Sequence, residues 1–319
     1  MKIILDARRM DTKEEAHVYL REKLNFPEYY GENLDALYEC LCELADTELF
    51  ITHSCEAGEY YLKAEKVLKK AAEDNKELTL TFGDTEGKGK MKVVIIHGQN
   101  HKGSTYHIAK QLADKIGGSI KEFFLPRDFN LFCVGCTNCF EKDEGLCPHY
   151  ERLRPITEAL DEADVIILAS PVYVYHATGA MKALLDHYGY RWMVHRPEER
   201  MFRKQAVCIS TAAGAGLRST NKDMADSLYF WGVGRIYRYG VAVRETSYER
   251  VSGKIKASID GKTTALAKKL KAGYGHVRPK VGTRIFFYLM RIMQKNGFNE
   301  ADAIYWKEKG WTEKVRPWK

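Results

Sequence analysis

Apolar positions along this chain come in short continuous runs separated by stretches with helical periodicity. The runs read as buried strands: "KIILDA", "LFITH" and "ELTLTF" in the first quarter, then "KVVIIHG", "IKEFFL", "DVIILAS", "QAVCIST" and "IYRYGVAV". Between them the spacing predicts helices at about 12–24, 33–45 and 58–74, then near 104–116, 150–162, 177–188, 217–231 and 249–272. The segment "FGDTEGKGK" interrupts this alternation. It is glycine-rich and charged, with no large apolar residue after Phe82. It reads as a linker, taken as 84–90, between a domain at 1–83 and one at 91–319.

Short apolar strands alternating with helices indicate a parallel sheet covered on both faces. Five such units after residue 91 predict an α/β, doubly wound, five-stranded parallel sheet, preceded by a small α/β domain. In such a sheet the ligand site lies at the carboxyl ends of the strands. Beyond residue 280 an apolar-rich helix ("GTRIFFYLMRIMQKN") leads to a tryptophan-rich end.

Composition narrows the class. The 319 residues are 45% hydrophobic and 29% charged, as in a soluble globular protein. There is no apolar run of transmembrane length, and the start has no apolar core of a secretory signal. A cytoplasmic setting is expected, without a membrane partner. Residues 1–90 carry 13 Lys and Arg against 20 Asp and Glu, whereas 91–319 carry 37 against 23. The basic half has no dense cationic run, so an anionic cofactor or substrate accounts for its sign better than nucleic acid.

The expected site then lies in three loops. "HGQNHKGSTYHIAKQLA" leaves the first strand of the second domain at Gly98 and enters a helix at Ser104 or Thr105. Free N–H groups and the helix dipole make such a start an anion site. "ASPVYVYHATG" ends the third strand on a proline, and "STAAGAGLRST" ends the fourth on small residues that admit a flat ligand. Each loop alone is an ordinary turn or cap. His176 after the second loop reads as structural more readily than as a donor, and Cys208 in an apolar strand as an inert core thiol.

Together the three loops resemble those of the flavodoxin-like NAD(P)H-dependent FMN reductases, over about 91–319. The family's first loop typically reads G-S-P-R-x-x-G-N-T, and Gly98 to Thr105 stand in that frame, with Gln99 and His101 replacing its serine and arginine. The resemblance implies that Gln99, Asn100, His101, Ser104 and Thr105 hold the FMN phosphate. It implies that Ser170, Pro171, Val172 and Tyr173 flank the flavin, and that Thr211, Ala212, Gly214 and Gly216 run along the isoalloxazine. The implied activity is FMN-dependent NAD(P)H oxidoreduction toward a small-molecule or protein acceptor, in a homodimer or higher oligomer.

"FCVGCTNCFEKDEGLCPHY" holds Cys133, Cys136, Cys139 and Cys147 as C-x2-C-x2-C-x7-C. By spacing alone it could hold a metal, a disulfide, a reactive thiol or nothing. It resembles the cysteine motif of the iron-sulfur flavoprotein branch of the same family. That resemblance implies a [4Fe-4S] cluster on these four residues, with a thiol loop lacking metal as the alternative.

"LNFPEYYGENLDALYECLCEL" frames an acidic, aromatic loop, with Asn33 placed to cap the next helix. The stretch, and the element order of residues 1–83, resemble barstar, the inhibitor of a secreted ribonuclease. The partner-binding positions fall on Tyr29, Gly31, Asn33, Asp35, Tyr38 and Glu39. The last two stand where barstar has tryptophan and aspartate. A ribonuclease partner is implied. Two other functions fit the same sequence: a ribonuclease-inhibitor-type binding protein with an accessory flavodoxin-like domain, and an electron-transfer flavoprotein without pyridine-nucleotide activity.

Overall fold

The computed structural model describes residues 2–52, 54, 57–82 and 91–319. The expected linker at 84–90 lies outside the described residues. Contacts divide the chain into two units, Met1–Lys90 and Met91–Lys319.

In the first unit three parallel strands, β1 (Lys2–Asp6), β2 (Thr47–Thr52) and β3 (Leu78–Phe82), lie in that order. Along β2, buried Thr47, Leu49 and Ile51 alternate with half-buried Glu48, Phe50 and Thr52, so one face carries most of the core. Helices α1 (Lys13–Leu24), α2 (Leu34–Cys42) and α3 (Glu59–Asp74) supply Leu20, Leu37, Leu41, Tyr61 and Leu68 to that core. The Thr12 side chain caps helix α1: Glu15 N donates to Thr12 Oγ1, whose hydroxyl donates to the Glu15 carboxylate at 3.0 Å. It ends on Asn25 in the left-handed region, at φ 51°.

The second unit holds β4 (Lys92–His97), β5 (Ser119–Phe124), β6 (Val165–Pro171), β7 (Gln205–Ala212) and β8 (Arg235–Ala242). All pairings are parallel, in the order β5-β4-β6-β7-β8. This is a flavodoxin-like order, in keeping with the fold that the resemblance of the three loops implied. The chain leaves β4 for one neighbour and returns to its other side as β6. The connections therefore diverge between β4 and β6, opening a crevice at their carboxyl ends.

Both sheet faces are covered, which is why β4 and β6 are apolar on successive residues. One face packs α4 (Ser104–Ile116) and α9 (Gly253–Gly273) through Ile108, Leu112, Ile259 and Leu270. After a short turn of helix, α5 (Asn138–Glu141), the other face packs α6 (Tyr150–Glu162), α7 (Gly179–Asp186) and α8 (Leu217–Phe230). Their contribution includes Leu153, Ile156, Met181, Leu184, Met224 and Leu228. Cys208 lies fully buried in that core, and burial pushes its thiol up to about 12, so it is chemically quiet.

The tryptophan-rich end forms a further helix, α11 (Glu300–Glu308), after α10 (Val281–Lys295). Phe287, Trp306 and Trp311 close a separate core with Met193 and Phe202. The Trp306 indole donates to the His195 carbonyl at 2.6 Å, satisfying the polar edge of a buried ring. No helix among the described residues is long and apolar enough to cross a membrane.

Candidate functional site: the crevice, the cysteine loop and the acidic face

The crevice between β4 and β6 forms because the sequence brings small residues to its floor. A Cβ on Gly98 would stand 2.9 Å from Thr178 Oγ1 and 3.1 Å from Ser170 Oγ. Glycine lets Thr178 donate to the Gly98 carbonyl at 2.7 Å, while Ser170 Oγ accepts from Thr178 N at 3.0 Å. Ser170 is fully buried and braces the loop from below, without lining the crevice.

The loop after β4 runs into α4, which starts at Ser104 on Gly103 with no side chain capping its first turn. The N–H groups of that first turn have no side-chain acceptor. Gln99, His101, Gly103, Ser104 and Thr105 line the cleft with Pro171, Val172, Thr211 and Ala212. Asn100, Tyr173, Gly214 and Gly216 stand outside that lining. Two of these still shape it. Tyr173 accepts from Gln99 Nε2 at 2.6 Å, tying the first loop to the second. Gly216 has φ 88°, and a Cβ there would lie 2.5 Å from Val172 Cγ1, so only glycine fits. The hydroxyls of Thr105 and Thr211 hydrogen-bond to each other, joining the first loop to the end of β7.

The second loop makes a tight turn in which Tyr173 and His176 exchange backbone hydrogen bonds at 2.9 Å. Val174 and Tyr175 occupy the left-handed region at φ 48° and 67°. A β-branched residue there is costly, and the turn holds it 92% exposed. His176 points to Asp223, at 3.1 Å, and the same carboxylate accepts from Ala177 N. The histidine fastens the loop to α8.

Sequence reasoning missed part of the cleft wall. His97, Tyr106, Val243, Glu245 and Thr246 also line it. His97 is buried and bonds Glu122 at 2.9 Å, and burial holds its imidazole below the ordinary range. Its ring stacks on Phe124 at 4.4 Å. The segment after β8 carries no glycine or proline signal, so nothing in the sequence marked Glu245 or Thr246.

The cysteine loop lies between β5 and α6. Cys133 and Cys136 are exposed; Cys139 and Cys147 are half-buried. Burial pushes the Cys139 thiol up to about 11, and the neighbouring Cys147, Cys133 and Cys136 thiols push it the same way. An anchor below holds the loop's backbone. Arg196 donates to the carbonyls of Cys139 and Phe140 and pairs with buried Asp302 at 2.6 Å. His195 Nδ1 meets the other Asp302 oxygen at 2.8 Å. Two histidines stand beside Cys147. His149 Nδ1 lies 2.8 Å from His187 Nε2, and His187 Nδ1 donates to the Ala183 carbonyl. Burial and the neighbouring His149 hold His187 below its ordinary range.

In the first unit, Asn33 caps α2, accepting from Asp35 N and Ala36 N at 3.0 and 2.9 Å and donating to the Gly31 carbonyl. Gly31, Asn33, Asp35 and Glu39 are exposed, and Tyr29 is 80% exposed. Tyr38 is half-buried; it donates to Asp74 at 2.6 Å, a bond that raises its phenol above the ordinary range, and its ring carries Lys70 Nζ at 4.9 Å. The six positions lie on the loop before α2 and on α2 itself. Buried His17 joins Tyr30 and Tyr60.

Comparison with known proteins matches both units. The profile of the NADPH-dependent FMN reductase family matches residues 91–246, and that of barstar (barnase inhibitor) matches residues 1–84. An iron-sulfur flavoprotein of Archaeoglobus fulgidus is 29% identical over 187 residues, 56% of this chain and 79% of that protein. The ribonuclease-inhibitor homologue YrdF of Bacillus subtilis is 38% identical over 82 residues, 24% of this chain and 90% of YrdF. A solved NAD(P)H:quinone oxidoreductase from Methanothermobacter marburgensis is 16% identical, covering 57% of this chain and 96% of that one, with a TM-score of 0.44. Through residues 1–84 the chain belongs to the barstar family, and its residues 91–246 are similar to the NADPH-dependent FMN reductases.

Proposed function

We propose that the protein is an FMN-dependent NAD(P)H oxidoreductase whose flavin lies in the crevice at the carboxyl ends of β4, β6 and β7. The observation that carries this reading is the uncapped start of α4 beside Gln99, His101 and Ser104, at the strand-order switch point of a flavodoxin-like sheet. Bound FMN would supply a two-electron acceptor and donor. The chain's own residues do the positioning. The first turn of α4 would take the phosphate, with the Ser104 and Thr105 hydroxyls beside it. Pro171, Val172 and the Thr211–Ala213 backbone would form the wall along the ring. Gln99 and Tyr173, locked together, hold the first and second loops at one spacing. Titrating FMN into the full chain tests the reading; one tightly held flavin per chain supports it, and a chain that takes up none overturns it.

A finer reading concerns the cysteine loop. The C-x2-C-x2-C-x7-C spacing and the placing of Cys133, Cys136, Cys139 and Cys147 on one loop support a [4Fe-4S] cluster on these four residues, which would pass single electrons to or from the flavin. Iron and sulfide assayed on anaerobically prepared protein decide it.

The barstar-family unit reads as a protein-binding module. Its exposed Tyr29, Asp35 and Glu39 present an acidic, aromatic surface suited to a basic ribonuclease active site. Titration against ribonucleases of the barnase type tests this, and absence of inhibition at micromolar protein counts against it.

A further inference from the structure

We propose that Cys147, His149 and His187 form a binding site for a single thiophilic divalent cation of the zinc class. It is distinct from a cluster and competes with one for Cys147. The Cys147 sulfur and one nitrogen from each histidine lie within 4.8 Å of one another. Two local features bring them together. Pro148 ends the loop, so that Cys147 and His149 flank it at the start of α6, and His187 follows the last turn of α7.

The outer contacts are those of a ligand set. His187 Nδ1 donates to the Ala183 carbonyl at 2.7 Å, which fixes the ring and leaves the Nε2 lone pair facing His149 and Cys147. Metal-bound histidines commonly donate their second nitrogen in this way. The Phe129 ring meets His187 edge-on at 4.9 Å and walls the site on one side. No cation is needed to hold His187 there, so the site is preorganised.

In the metal-free chain, His149 Nδ1 gives its proton to the short contact with His187 Nε2. To bind a cation, His149 shifts its proton to Nε2, and Cys147 releases its thiol proton to solvent. Zinc takes sulfur at about 2.3 Å and imidazole nitrogen at about 2.0–2.1 Å. The two nitrogens therefore spread slightly while the sulfur closes in. Thiolate with imidazole suits zinc, cobalt and ferrous iron over magnesium or calcium.

A cluster and this cation cannot share Cys147, and their remaining ligands differ. Cys133 and Cys136 serve only the cluster; His149 and His187 serve only the cation. The test is Co2+ titration of the chelator-treated full chain, read by the cobalt–thiolate charge-transfer and tetrahedral d–d bands. One Co2+ per chain is expected, with the bands kept in Cys133→Ala and lost in both His187→Ala and Cys147→Ala. His149→Ala, a half-exposed change, is expected to weaken binding at least tenfold and guards against misfolding of the buried His187 variant. Cobalt bands that survive both histidine substitutions, or an absence of Co2+ binding, overturn the proposal. The flavin spectrum of the same samples reports the FMN site independently, so failure of one reading leaves the other standing.

Discussion

Gln99 donates from its side-chain amide to the Tyr173 hydroxyl at 2.6 Å, bridging loops that follow different strands. Gln99 is half-buried and Tyr173 is exposed, and their bond sets the gap between the first and second loops. Removing it with Tyr173→Phe is expected to cost about 1 kcal/mol of flavin affinity, roughly a fivefold rise in FMN Kd. Thermal unfolding of the flavin-free protein should barely move. Equal losses in both measurements would make the pair merely structural.

Gly216 presents a sharper constraint. With φ 88° and Val172 Cγ1 only 2.5 Å from where a Cβ would stand, Gly216→Ala must strain the backbone or push Val172 toward the cleft. The strain is about 1–3 kcal/mol. Flavin binding is expected to weaken by about tenfold or more. Equilibrium dialysis with FMN checks it, and Gly214→Ala, where a Cβ meets nothing, is the tolerant control.

Asp302 is a buried carboxylate that accepts from both His195 and Arg196. Asp302→Ala takes from Arg196 its close buried carboxylate and leaves it, among the described residues, only Glu144 Oε2 at 3.9 Å, so the loss approaches the roughly 3–5 kcal/mol of a broken buried ion pair. Because Arg196 also holds the Cys139 and Phe140 carbonyls, the cysteine loop should exchange amide hydrogens faster in the variant. Unaltered exchange over residues 136–142 would contradict this link.

The first unit carries a pH dependence. Burial, followed by Lys13, lowers the pKa of His17 in the fold. A histidine with a depressed folded pKa stabilises the fold above its unfolded value of 6.5, and that stability is lost as pH falls below it. Hydrogen exchange in residues 2–52 should therefore quicken between neutral pH and pH 5, beyond the intrinsic trend. His17→Gln should flatten this response.

The strands and most helices were legible because each rests on local periodicity. Helix α4 begins at Ser104, as its loop chemistry implied, and the continuous runs of β4 and β6 foretold a sheet covered on both faces. Glycine and proline marked the three loops for the same reason: they act on their own backbone. What stayed hidden depends on distant partners. Ser170 reads as a lining residue until Thr178 is seen to pull it under the loop. Glu245 and Thr246 reach the cleft only because β8 lies beside β7. The link from Asp302 to Arg196 spans 106 residues and leaves no local trace. His187 looks like a lone helix-end histidine; the Cys147-Pro148-His149 spacing was the one sequence signal near it.

Anaerobic addition of NADPH to the desalted, FMN-loaded full chain tests the central claim most directly. The account predicts one FMN retained per chain and loss of its oxidised visible band on adding one equivalent of NADPH or NADH. A chain that retains no flavin, or retained flavin that neither nucleotide bleaches, would contradict it.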